Sequence, residues 1–315
     1  MLYKKDMDKP LVTIFTITRN RCELLPRAMK SILNQTYRNI EYIIIDSAST
    51  DNTEQVVMSF SDDRIRYVKL KDNETFGHCI NMAFHLAKGK YVTELDDDDE
   101  YHFDKIEKQV KLFETLPEDY GMVYCWMTYF DNRTKKTIKI HKAELRGSVI
   151  EDAVEKPTVS GTPTLLVRRD IFDKIGGYKE ADEIGVESDW EFATRICKNY
   201  KVDYVPESLV NVYINHSHLR MSNVGYYDHE EEVNIKFHQY FLEEFNAIFE
   251  KSPKRSHDHL FRIACSQFAL KRYNEFWKTY GKMLCVAPFK IKNLALPLYC
   301  FRNYLRKRSN GRNKG

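Results

Sequence analysis

The amino-acid sequence predicts an α/β fold in which helices flank a mostly parallel sheet. Segments with strand-like and helix-like periodicity alternate along the first third of the chain. A chain that alternates in this way usually builds parallel strands joined by helices. Residues 40–45 are apolar apart from Glu41, which is typical of a strand buried on both faces. The 315 residues can form one large domain, with or without a small appendage.

Each element of the first half has its own local signal. Residues 11–17 are rich in β-branched side chains, and apolar positions recur at helical spacing in residues 23–33. Ser49, Thr50 and Asp51 are suited to cap a helix that ends at residue 60. The remaining predicted strands are residues 65–70 and 91–95, and the helix between them is residues 77–87.

The pattern changes from about residue 121 onwards. Shorter strands are predicted at residues 122–130, 137–141 and 164–167. They are followed by a helix over residues 189–198 and by two short strands at residues 204–206 and 210–214. Beyond residue 228 the chain has helical character, interrupted by prolines. We therefore expect a leader of residues 1–10, a main domain of residues 11–225 with halves 11–120 and 121–225, and a helical extension of residues 226–315.

Composition and charge narrow the class of protein. With 43% hydrophobic and 30% charged residues, the chain is typical of neither disordered nor collagen-like proteins. Its 49 basic and 46 acidic side chains nearly cancel, so no global field indicates nucleic acid as a partner. The 7 cysteines lack metal-type spacing, which favours a reducing compartment. The sequence lacks a signal peptide and any run of roughly 18 apolar residues. We therefore expect a cytoplasmic protein.

Acidic residues follow two of the predicted strands. Asp46 ends the second strand, and the run from Asp96 to Asp99 follows the fourth. Ligands of open α/β sheets bind at the carboxyl ends of strands, so both sites are expected to face one crevice. Carboxylates there can hold Mg²⁺ or Mn²⁺ together with the phosphates of a ligand. The alternatives are a turn at Asp46 and, for the run, capping of a helix over residues 101–116.

Four segments in order resemble glycosyltransferase family 2. They are residues 16–21, residues 31–37, residues 43–53, and residues 95–100 with the helical segment 104–109 that follows. The resemblance extends over about residues 10–222. It implies the GT-A fold, in which residues 11–120 bind the nucleotide sugar on a mostly parallel sheet flanked by helices. Residues 121–225 would bind the acceptor, followed here by a helical C-terminal region.

The resemblance also implies roles for individual residues at the donor site. Asp46 matches the acid that hydrogen-bonds the base of the donor. Asp96 and Asp98 match the ends of the family's D-x-D motif, with Asp98 as metal ligand, Asp96 near the ribose or metal, and Asp97 as a helper. Arg19 occupies a position where members of the family frequently have an aromatic residue, and its guanidinium can stack on a base. The other donor-site candidates are Thr16, Thr18, Asn20 and Asn81.

The second half supplies the candidates for the reaction itself. Residues 187–195 resemble the family's acidic helix start, where a carboxylate is the general base. Asp189 matches that position and Glu187 is the alternative, although Asp189 could simply cap the helix. Residues 212–218 resemble the end of the catalytic domain, which implies His216 as a metal ligand. A solvated loop histidine is the alternative.

Together these features predict a hexosyltransferase that is dependent on Mn²⁺ or Mg²⁺. It would move a sugar from a nucleoside diphosphate donor, with UDP the expected nucleotide, to a saccharide or lipid-linked saccharide acceptor with inversion. Cell-surface polysaccharide biosynthesis is the expected setting. A metal-dependent nucleotidyltransferase is the nearest alternative, but residues 16–21 lack the glycines of its phosphate loop. The other alternative function is a non-catalytic module that binds sugar nucleotides.

The C-terminal tail mixes aromatic and basic residues between residues 289 and 306. Residues 302–314 contain 6 lysines and arginines and no acid. One interpretation is a helical cap packed on the catalytic domain. The other is a peripheral contact with the inner face of a membrane, in which aromatic groups enter the interface and cations meet anionic headgroups.

Overall fold

The structure is a computed structural model that describes residues 9–157, 161–180, 184, 188–215, 230–291, 293 and 296. The chain divides into two compact units. The first comprises Met1–Ala153, Pro157–Ala181 and Ser188–Leu219, and the second comprises Val154–Lys156, Asp182–Glu187 and Arg220–Gly315. The predicted boundary near residue 225, and most of the predicted leader, lie outside the described residues.

The first unit alternates strands and helices as expected. Its strands are β1 (Val12–Thr18), β2 (Ile40–Asp46), β3 (Ile65–Lys69), β4 (Tyr91–Glu94), β5 (Glu100–Tyr101), β6 (Tyr120–Asp131), β7 (Thr137–His141), β8 (Leu166–Arg168) and β9 (Lys201–Ile214). Its helices are α1 (Leu25–Leu33), α2 (Thr53–Met58), α3 (Phe76–Leu86), α4 (Lys105–Phe113), α5 (Ile150–Ala153), α6 (Arg169–Ile175) and α7 (Ser188–Asn199). Every strand predicted in the first half is therefore present.

The described strands form one sheet in the order β3-β2-β1-β4-β8-β6-β9-β5, with β7 paired to β6. The first four strands in this order are parallel. Beyond them the sheet is mixed, because β8 runs antiparallel to both β4 and β6 while β9 runs parallel to β6. The parallel half places the ends of β1, β2 and β4 along one edge, where the acidic residues follow.

Helices cover both faces of the parallel half because its side chains alternate between two apolar cores. Ile14 and Ile44 belong to one core, which α1 and α4 complete. Phe15, Ile43 and Ile45 belong to the other, together with residues of α3, α6 and α7. A strand that is apolar on both faces must be covered on both, as predicted for residues 40–45.

Two elements differ from the expectation, and long-range pairing explains both. The helix predicted over residues 101–116 begins at Lys105, because Glu100 and Tyr101 pair with β9 instead. The two short strands expected around residues 204–206 and 210–214 are one strand, β9. The pairing of β6 with β9 shifts register after Val205, so Pro206 occupies an irregularity where no ladder hydrogen bond is required.

The second unit is helical in its described part. Its helices are α8 (Glu230–Glu244), α9 (Asn246–Lys251), α10 (His257–Ala269) and α11 (Tyr273–Val286). None of the helices described is both long and apolar enough to cross a membrane. Leu260 and Ala264 of α10 pack with Phe276 and Met283 of α11.

Two buried histidines of the second unit form a hydrogen-bonded chain. Nε2 of His259 donates to the carbonyl of Val154 at 2.6 Å, so its Nδ1 is the acceptor for the Nδ1–H of His238 at 2.9 Å. The pKa of His259 is lowered to about 4, mainly by burial. The hydrogen bond to Val154 and the charge of Asp258 oppose the lowering, and the charge of Arg262 adds to it. A second proton on His259 would be carried by Nδ1, which would then face the Nδ1–H of His238. The pair is therefore stable when both histidines are neutral.

Candidate functional site

The acidic run begins at the end of β4, and β1 holds its first peptide in place. The backbone N–H of Leu95 donates to Phe15 at 2.9 Å, and the hydroxyl of Thr16 donates to the carbonyl of Leu95 at 2.8 Å. Thr16 is fully buried, and the hydroxyl of Tyr42 donates to it at 3.0 Å. The structure therefore gives Thr16 a role in fixing the loop that carries the acids, while its predicted donor contact stays a prediction.

Three carboxylates of the run converge. Asp96, Asp98 and Asp99 each offer an oxygen, and these oxygens all lie within 4.8 Å of one another. Asp98 and Asp99 are buried and Asp96 is half-buried. Hard oxygen ligands at this separation fit Mg²⁺ or Mn²⁺, which also retain positions for phosphate oxygens. The arrangement includes the predicted ligands Asp96 and Asp98.

Asp99 is a candidate metal ligand, although its place in the sequence favours a helix cap. It does not cap α4, which begins six residues later, at Lys105. Instead its Oδ1 accepts from the backbone N–H of Tyr213 at 3.0 Å, which ties the acidic run to the end of β9. No local pattern indicates this role, because it depends on the pairing of β5 with β9.

Asp97 points away from this group, towards β1 and the loop that follows it. Its Oδ2 accepts from the hydroxyl of Thr18 at 2.8 Å, and its Oδ1 pairs with Arg21 Nη1 at 2.8 Å. The same nitrogen lies 3.2 Å from an oxygen of Asp98. Burial raises the pKa of Asp97 to about 6 although Arg21 opposes the rise. Arg21 therefore neutralises part of the run and fixes the direction of Asp98.

A second arginine orients the backbone of the run. Arg27 of α1 donates from Nη2 to the carbonyl of Asp98. Its guanidinium lies 3.7 Å from the centre of the Tyr213 ring, a cation–π contact. Tyr213 in turn donates its hydroxyl to Glu100 at 2.8 Å. The acidic loop is therefore held from α1 on one side and from β9 on the other.

The loops after β1 and β2 are joined to each other. The side-chain oxygen of Asn20 accepts from the backbone N–H of Thr50 at 2.7 Å, and the backbone N–H of Asn20 donates to Ser49 Oγ at 2.9 Å. Asn20 has a φ of 53°, a left-handed conformation that asparagine tolerates better than most residues. Arg19 beside it is exposed. Both predicted donor contacts therefore lie at the edge where β1 and β2 end.

Asp46 is fully buried and its carboxylate is occupied within the protein. Oδ1 accepts from the backbone N–H of Ser49 at 2.8 Å, and Oδ2 accepts from the hydroxyl of Tyr67. The turn-forming role that the sequence left as an alternative is therefore present. Its contact with the base of a donor stays a prediction.

Asn81 connects α3 to the loop that follows α6. Its amide nitrogen donates to the carbonyl of Tyr178 at 2.9 Å, and its oxygen accepts from the N–H of Tyr178 at 2.8 Å. A side chain at Gly177 would meet Asn81 at 2.4 Å, which explains a glycine there. Asn81 therefore positions the loop carrying Tyr178, and its predicted donor contact is untested.

Asp189 lies in the first turn of α7, which begins at Ser188. Its Oδ1 accepts from the backbone N–H of Trp190 at 2.7 Å, so the predicted contribution to the helix start is present. The residue is exposed, yet the surrounding protein desolvates its carboxyl enough to raise its pKa. The alternative base Glu187 and the predicted metal ligand His216 lie outside the described residues.

The helix that carries Asp189 is rigidly anchored at its middle. Arg195 donates to the carbonyls of Ile175, Gly176 and Gly177 at 2.6, 3.1 and 2.5 Å. Its Nε pairs with the buried Glu191 at 2.5 Å. Trp190 is buried and donates its indole N–H to the carbonyl of Ala153 at 2.7 Å, so it is part of the core.

Glu94 connects the acidic run with Asp189. It is buried at the end of β4, and burial raises the pKa of its carboxyl well above the ordinary value. The charges of Asp96 and Asp189 raise it further, so both lie close enough to act on Glu94. Asp96 and Asp189 are therefore both electrostatic neighbours of Glu94. Glu94 was not singled out as a functional residue from the sequence.

Solved structures show which fold this is. S. aureus TarS 1-349, solved with UDP-GlcNAc, matches with a TM-score of 0.60 and 14% identity over 95% of this chain and 92% of that one. The mannosyltransferase PcManGT from Pyrobaculum calidifontis, solved with GDP-Man and Mn²⁺, matches with a TM-score of 0.56 and 18% identity over 95% and 82%. The GT-A fold implied by the resemblance is thereby confirmed.

Sequence relatives are named as glycosyltransferases. One from Rickettsia prowazekii (strain Madrid E), named as uncharacterized, is 32% identical over 56% of this chain and 56% of its own length, so the match spans little more than half of that relative. WcaA of Escherichia coli (strain K12), named for colanic acid biosynthesis, is 42% identical over 30% and 34%. TuaG of Bacillus subtilis (strain 168), named for teichuronic acid biosynthesis, is 36% identical over 33% and 42%.

The family assignment comes from a wider match. The model of the family described as Glycosyl transferase family 2 matches residues 13–176, just over half of the chain. This segment contains β1 apart from its first residue, β2 to β4, the acidic run and α3. The chain belongs to glycosyltransferase family 2.

Proposed function

We propose that the protein is a metal-dependent, inverting glycosyltransferase that uses a nucleoside diphosphate sugar. The observation that carries the proposal is the convergence of Asp96, Asp98 and Asp99 within 4.8 Å, with Asp189 acting electrostatically on the same Glu94 as Asp96. A site of this kind places a cation-binding group of acids beside a separate carboxyl. Transfer of a sugar requires both, one for the leaving diphosphate and one for the attacking hydroxyl.

The residues that would hold Mn²⁺ or Mg²⁺ are Asp98, Asp96 and Asp99. Their oxygen ligands and mutual separation fit a hard divalent cation. When bound, such an ion neutralises charge that builds on a leaving diphosphate. Arg21 holds Asp98, and the backbone of Tyr213 holds Asp99, so the acids are directed before any ligand binds. His216 remains a proposed further ligand.

Asp189 is the proposed general base, with Glu187 as the alternative. A raised pKa makes its carboxylate a stronger proton acceptor, which suits removal of a proton from an acceptor hydroxyl. The hydroxyl oxygen then forms the new glycosidic bond while the bond to the diphosphate breaks. A single displacement of this kind inverts the anomeric carbon. The anchoring of α7 through Arg195 keeps this base in a constant position.

The donor is proposed to be a UDP-sugar. The UDP-GlcNAc of the TarS structure supports UDP, and the GDP-Man of the PcManGT structure makes GDP the alternative. Asp46, Asn20 and Arg19 would contact the base and ribose, since they lie at the joined ends of β1 and β2. The remaining proposed donor contacts are Thr16, Thr18, Asn81, Asp96 and Asp97.

A saccharide or lipid-linked saccharide is the proposed acceptor. The relatives named for colanic acid and teichuronic acid biosynthesis support a role in cell-surface polysaccharide assembly. The proposed location is the cytoplasm, with peripheral contact at the inner face of the membrane.

An exposed apolar surface of the second unit supports the membrane contact. Trp277 of α11 is 58% exposed, and Phe289 and Ile291 beyond it are 97% and 82% exposed. Lys278 and Lys282 are exposed on the same helix. Aromatic groups flanked by cations bind anionic membrane interfaces.

Co-sedimentation with vesicles tests this contact. W277S combined with F289S should reduce sedimentation with anionic vesicles more than with neutral ones. M58S is the matched control, because Met58 is 62% exposed in the first unit. Equal sedimentation of all three proteins with anionic vesicles would remove the membrane contact from the proposal.

The reaction itself is tested by turnover of sugar nucleotides. The unaltered protein should release free nucleoside diphosphate with Mn²⁺ or Mg²⁺ and stop when EDTA is added. D98N should abolish metal-dependent turnover, and D189N should abolish transfer while donor binding is retained. D170N, which alters an exposed surface ion pair, is the control and should be fully active.

Several results would contradict the proposal. Turnover that EDTA leaves unchanged would reject the metal, and full activity in D189N would reject the base. Retention of anomeric configuration, seen by NMR of the product, would reject the single displacement. Thermal stabilisation by sugar nucleotides with no turnover would indicate a binding module, and transfer of the nucleotidyl group would indicate a nucleotidyltransferase.

A further inference from the structure

Glu94 is a buried carboxyl group that the protein does not satisfy. It is the last residue of β4 and is 3% exposed. Among the described residues, neither of its oxygens has a hydrogen-bond partner. Burying a polar group without a partner is unfavourable. A bound ligand is one way in which the missing partners can be supplied.

The buried Lys105 cannot supply the partner that Glu94 lacks, because this lysine lies on the other face of the strand. Lys105 donates to Thr93 at 3.3 Å and lies 4.0 Å from the ring of Tyr101. Successive side chains of a strand point to opposite faces, so Glu94 points away from this lysine. Glu94 pairs in register with Phe15, whose side chain belongs to the core on the α3 side.

The charged groups that do act on Glu94 are both acids. The charges of Asp96 and Asp189 add to the effect of burial on the pKa of Glu94, and among the described residues neither acid hydrogen-bonds it. In the proposed function, Asp96 lies at the diphosphate end of the donor and Asp189 lies at the acceptor hydroxyl. The transferred sugar lies between these two positions, and Glu94 ends β4 two residues before Asp96.

We propose that Glu94 hydrogen-bonds hydroxyl groups of the sugar being transferred and so contributes to the choice of donor sugar. This inference rests on the proposed function. A sugar hydroxyl both donates and accepts hydrogen bonds, so it can satisfy the Glu94 carboxyl in either protonation state. A site that hydrogen-bonds a substrate hydroxyl also rejects an analogue that lacks it, because the buried group is then unpaired again.

Binding of paired ligands isolates this contact. The probes are UDP with UDP-GlcNAc and GDP with GDP-Man, each with Mn²⁺, and the affinity ratio of sugar nucleotide to nucleotide is measured by calorimetry. E94L should bind the nucleotide as the unaltered protein does and lose roughly 10- to 100-fold in affinity for the sugar nucleotide. E94Q keeps a donor and an acceptor and should stay within roughly 5-fold. Without ligand, E94L should melt at the same temperature as the unaltered protein or higher.

The outcomes separate this inference from the function on which it rests. If the unaltered protein binds neither sugar nucleotide, the proposed function falls and the inference falls with it. If the unaltered protein binds one of them and E94L keeps the same affinity ratio, only the role of Glu94 is overturned. If E94L melts lower and loses nucleotide and sugar nucleotide equally, Glu94 has a structural role, which also overturns the inference.

Discussion

Replacement of Arg21 by alanine tests how the acidic run is held. Arg21 Nη1 lies 2.8 Å from an oxygen of Asp97 and 3.2 Å from an oxygen of Asp98. The two carboxylate side chains are 5% and 3% exposed, and the arginine side chain is 19% exposed. R21A therefore leaves two buried carboxylates without the cation that lies between them.

The expected loss of stability follows from this burial. Removing one partner of a buried ion pair costs about 3–5 kcal/mol. The loss is expected near the lower end, about 3 kcal/mol, because Thr18 still donates to Asp97. Its pKa of about 6 also lets Asp97 take up a proton. Each 1 kcal/mol corresponds to roughly 2–4 °C in melting temperature for a protein of this size class, so R21A should melt roughly 6–12 °C lower.

Thermal melts with and without Mn²⁺ are the assay. The control is R38A, which alters an exposed arginine and should shift the melting temperature by no more than about 1 °C. Because R21A also removes a positive charge beside the acids, Mn²⁺ should raise its melting temperature more than that of the unaltered protein. The reasoning would be refuted if R21A melted at the same temperature as R38A. It would also be refuted if Mn²⁺ raised the melting temperature of R21A less than that of the unaltered protein.

Three further changes have expected outcomes. N81A leaves the backbone of Tyr178 without both of its side-chain hydrogen bonds, so it should lower the melting temperature and reduce kcat for transfer more than it weakens nucleotide binding. R195Q breaks the buried anchor of α7 and should destabilise the protein by about 3–5 kcal/mol in denaturant titrations. The pKa of His259, about 4 against an ordinary 6.5, means that the unfolded chain binds more protons, so about 3 kcal/mol of stability should be lost as pH falls from about 6.5 to about 4. Melts at both pH values should show a smaller loss for the H238L/H259L double variant.

The parts of the fold that are coded locally could be predicted from the sequence. The apolar residues that dominate positions 40–45 and the helical spacing in residues 23–33 require no knowledge of the rest of the chain. Both elements formed close to the expected bounds. The expectation that Asp46 and the acidic run lie at one edge followed from a simple rule, because the carboxyl ends of parallel strands share one edge. The pairing of Asp96 with Asp98 was implied by the resemblance to the D-x-D motif.

The parts that were missed depend on contacts distant in sequence. Asp99 is suited to cap a helix, and only the pairing of β5 with β9 turns it towards the other acids. Glu94 lies in a short strand whose pattern does not reveal which face will be without a partner. Asn81 is a plain polar position in a helix, and its partner Tyr178 lies 97 residues away in the sequence.

The division of the acidic run explains how four successive aspartates can share one loop. Asp97 is turned to Arg21 and Thr18, so one of the four charges is compensated by the protein. Asp96, Asp98 and Asp99 are gathered within 4.8 Å, and carboxylates at that separation repel one another unless they bind protons or share a cation. In the proposed function, binding of a divalent ion is therefore coupled to the stability of the loop itself. The same ion would supply the positive charge that the diphosphate of the proposed donor requires.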